Sequence, residues 1–176
     1  MLPVDSIPPL DESIVFRSLK NEYLSFDEVY EKILEFIRGD LNSSYRISIG
    51  TDSQVASRSM FVTCIHVHRV GKGAIGFLHK SLLQRPVTSL REKIYMETCQ
   101  SLQLAYLFDE NKIKNITKLL HKKVSFEFHI DIGTKGPTKT LINEMTGLVK
   151  GLNFVPRIKP DSYCASSFAD KFTKAM

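Results

Sequence analysis

Two aspartates of this chain end strand-like segments on the side opposite the bulky apolar residues. Bulky side chains alternate through 45–52 and 124–131, which leaves Asp52 and Asp131 on the polar faces of the two segments. If the segments are neighbouring strands, the two carboxylates converge, and their repulsion requires a shared proton or a divalent cation. Clustered oxygen ligands favour Mg2+ or Mn2+. The alternative is that each aspartate only ends a strand or caps a turn.

A third carboxylate, Glu97, lies inside the apolar stripe of a helix that the spacing predicts from Leu90 to Phe108. Glu97 is therefore expected to face the core, where a charge is costly unless it is paired, hydrogen-bonded or bound to a metal ion. Two interpretations stay open. Glu97 is a further metal ligand, or it is a core carboxylate satisfied by tyrosine, lysine or backbone donors.

Length and composition fit one domain that follows an N-terminal extension. The chain has 176 residues, of which 43% are hydrophobic, and this is enough for a sizeable core. We expect residues 1–44 to form an extension with one helix and residues 45–176 to form the main domain. The sequence has no long apolar run and no secretory signal at its start, so it predicts a cytoplasmic protein without a membrane span.

Positive charge is concentrated in one part of the chain. The formal net charge is +5. Between the Glu97 helix and the Asp131 segment lies a cluster of lysines, which are Lys112, Lys114, Lys118, Lys122 and Lys123. This distribution fits a polyanionic partner such as nucleic acid. The alternative is that the lysines serve only solubility.

The predicted elements of the main domain have the order β-β-β-α-β-α-β-α. They are strands over about 45–52, 60–70 and 73–83, a helix from Ser89, a strand ending at Asp131, a helix over about 138–150, a strand over 154–158 and a last helix. The lead-in contains one predicted helix from about Ser25 to Arg38, and the glycine-containing break at 71–73 predicts a hairpin.

This order resembles the ribonuclease H fold, an α/β fold with a mixed five-stranded sheet and flanking helices. Members of that superfamily carry acidic residues on the first strand, the first helix, the fourth strand and the last helix. In this chain Asp52, Glu97 and Asp131 occupy the first three places, and Asp170 matches the fourth. Asp161 is the alternative for the fourth place, although its position suits the N-cap of the last helix.

Three segments resemble the bacterial YkuK family more closely. They are Ile49-Gly50-Thr51-Asp52-Ser53-Gln54, His129-Ile130-Asp131-Ile132-Gly133 and Ala165-Ser166-Ser167-Phe168-Ala169-Asp170. The resemblance covers about residues 26–174 and implies a ribonuclease H-like fold. That family is described as ribonuclease H-like, with no well-established substrate.

The resemblance implies metal-dependent hydrolysis of phosphodiester bonds in RNA, DNA or an RNA–DNA hybrid, with two Mg2+ or Mn2+ ions about 4 Å apart. In this scheme Asp52 bridges both ions, Asp131 and Asp170 bind one ion, and Glu97 binds the other. Because related folds also host inactive members, the alternative is a non-catalytic module that binds nucleic acid or protein. The sequence leaves the oligomeric state open.

Polar residues beside the aspartates are expected to contact the substrate. Thr51, Ser53 and Gln54 are candidates to orient a metal ligand or to contact a phosphate or ribose hydroxyl. Lys135 and Lys139, together with a helix N-terminus, are candidates to hold a backbone phosphate near the second aspartate.

The segment 133–140 follows a strand and opens a helix, as a phosphate-binding loop does. It departs from the G-x-x-x-x-G-K-[ST] pattern because Thr138 replaces the second glycine. Pro137 also removes a backbone donor from a loop whose N–H groups must bind phosphate. The sequence therefore does not favour a nucleoside triphosphatase.

Overall fold

The computed structural model describes residues 7–10 and 13–169, and within them seven strands form one mixed sheet. The strands are β1 (Val15–Ser18), β2 (Tyr23–Ser25), β3 (Tyr45–Val55), β4 (Ser59–Arg69), β5 (Gly73–Leu83), β6 (Val124–His129) and β7 (Val155–Arg157). The helices are α1 (Phe26–Arg38), α2 (Leu90–Leu107), α3 (Glu110–Leu119) and α4 (Ile142–Val149), with a 3₁₀ turn at Lys139–Leu141 and a π-helix at Cys164–Ala169.

The order of strands in the sheet is β2-β1-β5-β4-β3-β6-β7. The central strand β3 is antiparallel to β4 and parallel to β6, and β4 continues into β5 through the predicted hairpin. This arrangement confirms the ribonuclease H-like mixed α/β fold, but the sheet has seven strands and not the predicted five. The two additional strands, β1 and β2, have four and three residues, which is too short for alternation to reveal them.

The helix of the N-terminal lead-in begins where its capping residues predict. Ser25 Oγ accepts a hydrogen bond from the backbone N–H of Glu28 at 3.2 Å, and the Ser25 N–H donates to Glu28 Oε2 at 2.7 Å. This reciprocal pair satisfies two backbone donors at the start of α1. The apolar face of α1, including Val29, Ile33 and Ile37, is buried against the sheet.

Several elements differ from the predictions. The strand β3 continues to Val55, three residues past the predicted end at Asp52, so Asp52 lies inside the strand. The strand β6 ends at His129, whereas the alternation predicts a strand up to Asp131. The Ile130 N–H still reaches the carbonyl of Arg157, but the Ile132 N–H bonds to the carbonyl of Ile130, so the chain turns there. The lysine-rich connector contains α3, because Asp109 caps the N–H of Lys112 at 2.8 Å and starts a helix that the sequence analysis does not include.

The two faces of the sheet are covered differently. Odd-numbered β3 residues such as Ile47 and Ile49 join the main core beneath the α-helices. The opposite face, which includes Val62 and Cys64 of β4, packs against Cys164 of the π-helix. A Cβ atom added at Gly76 of β5 would overlap the Phe168 ring. Glycine at this position therefore lets the ring pack directly on the strand backbone. Within the described ranges, no helix is both long and apolar enough to span a bilayer.

Candidate functional site

The parallel pairing of β3 with β6 brings together the chain segments that carry Asp52 and Asp131. Gly50 lies opposite His129 in the register, and Asp52 and Asp131 each follow two residues later. The two segments are therefore neighbours, as the argument for converging carboxylates requires. Asp52 is only 4% exposed, and it lies opposite Val62 on the face that the π-helix covers.

Glu97 is buried in α2 and has two hydrogen-bond donors. Ser53 Oγ donates to Glu97 Oε1 at 2.7 Å, and Lys93 Nζ donates to the same oxygen at 2.8 Å. Burial raises the pKa of Glu97, and the negative charge of Asp131 adds to this effect, while Lys93 and Ser53 act in the opposite direction. Glu97 thus matches the interpretation of a core carboxylate satisfied by a lysine, and its binding of a metal ion stays a prediction.

Lys93 interacts with three of the four predicted carboxylates. Its ammonium nitrogen is 2.8 Å from Glu97 Oε1 and 4.0 Å from Asp52 Oδ1. Burial lowers the pKa of Lys93, but the carboxylates of Glu97, Asp52 and Asp131 outweigh burial and raise this pKa above its ordinary value. The ammonium group therefore supplies positive charge to the cluster formed by Asp52, Glu97 and Asp131, which we call the carboxylate cluster.

Asp131 retains an oxygen atom that is buried without a hydrogen bond. Lys159 Nζ lies 3.1 Å from Asp131 Oδ1 and forms an ion pair with it, but the angles between the two groups do not allow a hydrogen bond. Among the residues that the structure describes, no donor satisfies this oxygen. A buried carboxylate oxygen without a donor is costly unless a cation or an ordered water binds it.

The donor set suits a hard divalent cation, but the side chains do not form a closed ligand shell. All four predicted ligands are carboxylates, which Mg2+ and Mn2+ prefer, and the Asp131 oxygen lacks a donor. However, no three acidic, histidine or cysteine side chains in 7–10 and 13–169 are grouped closely enough to hold one ion. The fourth predicted ligand, Asp170, lies outside the described residues.

The residues predicted to contact substrate have different environments. Thr51 and Ser53 are buried and bonded to α2, Thr51 through Ser101 at 2.7 Å and Ser53 through Glu97. Gln54, Lys135 and Lys139 are exposed. Substrate contact stays a prediction for all five, and the observed bonds make Ser53 a support for the Glu97 side chain.

Several charged residues beside the cluster have no role in the sequence analysis. Lys93 is four residues from Glu97, and this spacing on a helix is a signal that could have revealed the pair. Glu127 is buried on β6, and its Oε1 receives a hydrogen bond from His129 Nε2 at 2.8 Å. Burial raises the pKa of Glu127, but His129, Arg46 and Arg157 outweigh burial and lower it. No sequence signal identifies Lys159, which comes from a loop.

A half-buried histidine beside the π-helix makes the free energy of unfolding depend on pH. The ring of His66 packs against Tyr163 and Phe168, and its Nδ1 atom is buried without a partner in the described structure. Burial, and then the charges of His68 and His129, lower the pKa of His66 from 6.5 to about 4. His66 is therefore harder to protonate in the folded state than in the unfolded state. The free energy of unfolding falls as the pH falls from 6.5 towards 4.

We expect His66→Phe to remove this loss, because phenylalanine keeps the ring contacts and cannot be protonated. Relative to the variant, the native protein should lose about 2 kcal/mol of unfolding free energy across this pH range, after allowance for solvent screening. Urea unfolding of both proteins at several pH values measures the difference. Parallel pH curves for the two proteins would contradict the assignment.

Comparisons with known proteins agree with the fold. Residues 28–174 match the family model described as "Ribonuclease H-like". The chain is 44% identical over 170 residues to "Uncharacterized protein YkuK" of Bacillus subtilis (strain 168), and the alignment covers 93% of this chain and 99% of that protein. No solved structure matches the chain. The family match includes all four predicted acidic ligands.

Proposed function

Because the chain belongs to the ribonuclease H-like family as a YkuK-like member, we propose that it hydrolyses phosphodiester bonds of nucleic acid with Mg2+ or Mn2+. The observation that carries the proposal is the buried Asp131 oxygen without a donor, in a cluster with Asp52 and Glu97. Each of three neighbouring carboxylates adds repulsion and a desolvation cost to the core. Such destabilising clusters are typical of functional sites.

In the proposed site Asp52, Glu97 and Asp131 hold the metal, and Asp170 completes the ligand set. When bound, Mg2+ or Mn2+ activates a water molecule and neutralises charge on the phosphate and on the leaving oxygen. Ser53 holds Glu97 in place through its 2.7 Å hydrogen bond. The exposed Lys135 and Lys139 follow Asp131 closely and attract the phosphate backbone.

The second candidate is a module that binds nucleic acid without cleaving it. The position of Lys93 favours this candidate, because its ammonium group already neutralises part of the cluster that a metal ion would otherwise occupy. Both candidates share the fold and the polyanionic partner. They differ in whether the carboxylates perform chemistry.

The test is incubation of the protein with end-labelled RNA, DNA and RNA–DNA hybrid, with Mg2+, with Mn2+ or with EDTA. We expect cleavage of at least one substrate that requires metal and is lost in Asp131→Asn. The matched control is Glu144→Gln, which removes an exposed carboxylate that pairs with Arg91, and it should retain cleavage. Binding of a substrate without cleavage under any of these conditions would instead support the binding module.

A further inference from the structure

Two arginines share one buried carboxylate on the sheet face that carries Asp52. Arg46 of β3 has its Nε atom 3.2 Å from Glu127 Oε2, and Arg157 of β7 has its Nε atom 3.9 Å from the same oxygen. The arginine side chains are 43% and 45% exposed, whereas the Glu127 side chain is 6% exposed. Glu127 therefore anchors two guanidinium groups that solvent reaches.

The other oxygen of Glu127 is already occupied. His129 Nε2 lies 2.8 Å from Glu127 Oε1, and His129 Nδ1 accepts a hydrogen bond from the backbone N–H of Cys164 at 3.0 Å. Because Nδ1 is an acceptor, the ring carries its proton on Nε2 and donates it to the carboxylate. This network fixes Glu127 rigidly, and it leaves one oxygen for the two arginines.

The charges of this group do not cancel. Arg46 and Arg157 contribute two positive charges and Glu127 contributes one negative charge, so the group carries a net charge of +1. One arginine would be enough to neutralise Glu127. The second brings repulsion between like charges at a half-exposed position, and this repulsion is relieved when an anion binds.

The same face carries a further cation closer to the carboxylate cluster. Lys159, which is half exposed, lies 3.1 Å from Asp131. In the strand register Arg46 lies opposite Ser125, and Arg157 lies opposite His129, two residues before Asp131. Arg46, Arg157 and Lys159 thus form a row, here called the cation row, that runs along the strands towards the carboxylate cluster. Arg46 and Asp52 are six residues apart on β3, or about 20 Å.

We propose that the cation row binds successive phosphates of a polynucleotide and directs its backbone to the carboxylate cluster. The inference rests on the proposed function for the identity of the anion. The separation of about 20 Å between Arg46 and Asp52 corresponds to roughly six nucleotides of one strand at the rise of a duplex. Guanidinium groups suit this task because their planar N–H groups match phosphate oxygens and stay charged at every physiological pH.

The test is binding of a fluorescent single-stranded oligonucleotide, measured by anisotropy in EDTA, where no metal-dependent cleavage occurs. Arg46→Gln combined with Arg157→Gln should weaken binding by about tenfold or more at low salt. The slope of log K against log salt concentration, measured over about 50 to 200 mM salt, should also become less steep. Loss of two phosphate contacts should change this slope by about 1.4.

Two further variants make the result specific. Lys32→Gln combined with Lys72→Gln removes two cations that are paired with carboxylates on other surfaces, and it should leave binding within about twofold. Arg46→Lys combined with Arg157→Lys keeps both charges beside Glu127 and should retain the salt dependence, so a folding defect is distinguishable from lost phosphate contact. Equal binding by the glutamine variant and the native protein would overturn the proposal, as would absence of any oligonucleotide binding.

The experiment separates this proposal from the proposed function. Asp52→Asn should bind the oligonucleotide normally in EDTA even where it cleaves nothing, since the cation row stays intact. Native protein that binds through the arginines but never cleaves would leave the cation row standing and reject the nuclease. Cleavage that is unaffected by loss of both arginines would reject the cation row and leave the nuclease standing.

Discussion

Replacing Asp52 with asparagine is expected to abolish metal-dependent cleavage while the protein stays folded. Asp52 is buried within β3, and its carboxylate lies 4.0 Å from the ammonium group of Lys93 in the carboxylate cluster. Loss of partners that only support a metal ligand costs about 10 to 100-fold in affinity or activity. Loss of a ligand itself should cost at least the upper end of that range.

The same variant should unfold at a temperature equal to or above that of the native protein. Asp52 shares Lys93 with Glu97 and Asp131, so removal of one negative charge lowers the repulsion within the carboxylate cluster. Functional sites commonly cost stability in this way. Thermal unfolding followed by circular dichroism, beside the cleavage assay, measures both effects.

A matched control is Glu144→Gln, which removes a carboxylate from the surface ion pair with Arg91. It should change neither cleavage nor the unfolding temperature appreciably, because exposed ion pairs contribute about 0 to 1 kcal/mol. Undiminished cleavage by Asp52→Asn would reject the site. A strongly lowered unfolding temperature would mean that Asp52 is a structural residue.

The alternation of apolar and polar side chains predicted the two site residues on the strand-like segments, Asp52 and Asp131. It placed Asp52 and Asp131 at the ends of two strand segments, and the parallel register of β3 and β6 makes those segments neighbours. Alternation is informative here because both strands are buried on one face by large apolar residues such as Ile49 and Phe128. The apolar stripe of α2 likewise predicted that Glu97 faces inward.

The cationic part of the site was not predicted, because lysine and arginine side chains are long and reach partners far away in sequence. Lys159 contacts Asp131 from a loop that no periodicity locates, and Arg157 meets Glu127 across an edge strand of three residues. The alternative left open for Glu97, a carboxylate satisfied by lysine, describes its contacts correctly. The pattern alone could not select it, since a buried glutamate with a lysine partner and one with a metal ion have the same neighbours in sequence.

Lys93→Met is expected to tighten Mn2+ binding by about tenfold or more. The ammonium group of Lys93 competes with a divalent ion for Glu97 and Asp52, to which it lies at 2.8 and 4.0 Å. A unit charge about 4 Å away contributes as much as about 4 kcal/mol at the effective dielectric of a protein surface, and a third of that is tenfold in affinity. Methionine preserves the length and packing of the side chain without its charge.

Mn2+ titration followed by calorimetry measures the affinity, and unfolding temperatures with and without Mn2+ give a second readout. Without metal the variant should unfold at a lower temperature than the native protein, because Glu97 loses its ion pair. Added Mn2+ should raise the unfolding temperature of the variant more than that of the native protein. An ion that binds only the folded state adds stability, and the variant is expected to bind Mn2+ more tightly.

Lys72→Met is the control, because Lys72 pairs with Asp40 on another surface. It should leave Mn2+ binding unchanged. If Lys93→Met binds Mn2+ no better than the native protein and neither is stabilised by the ion, Lys93 is the permanent counter-ion of the cluster. The carboxylates would then serve to hold α2 against β3, and the chain would be a binding module built on a nuclease fold.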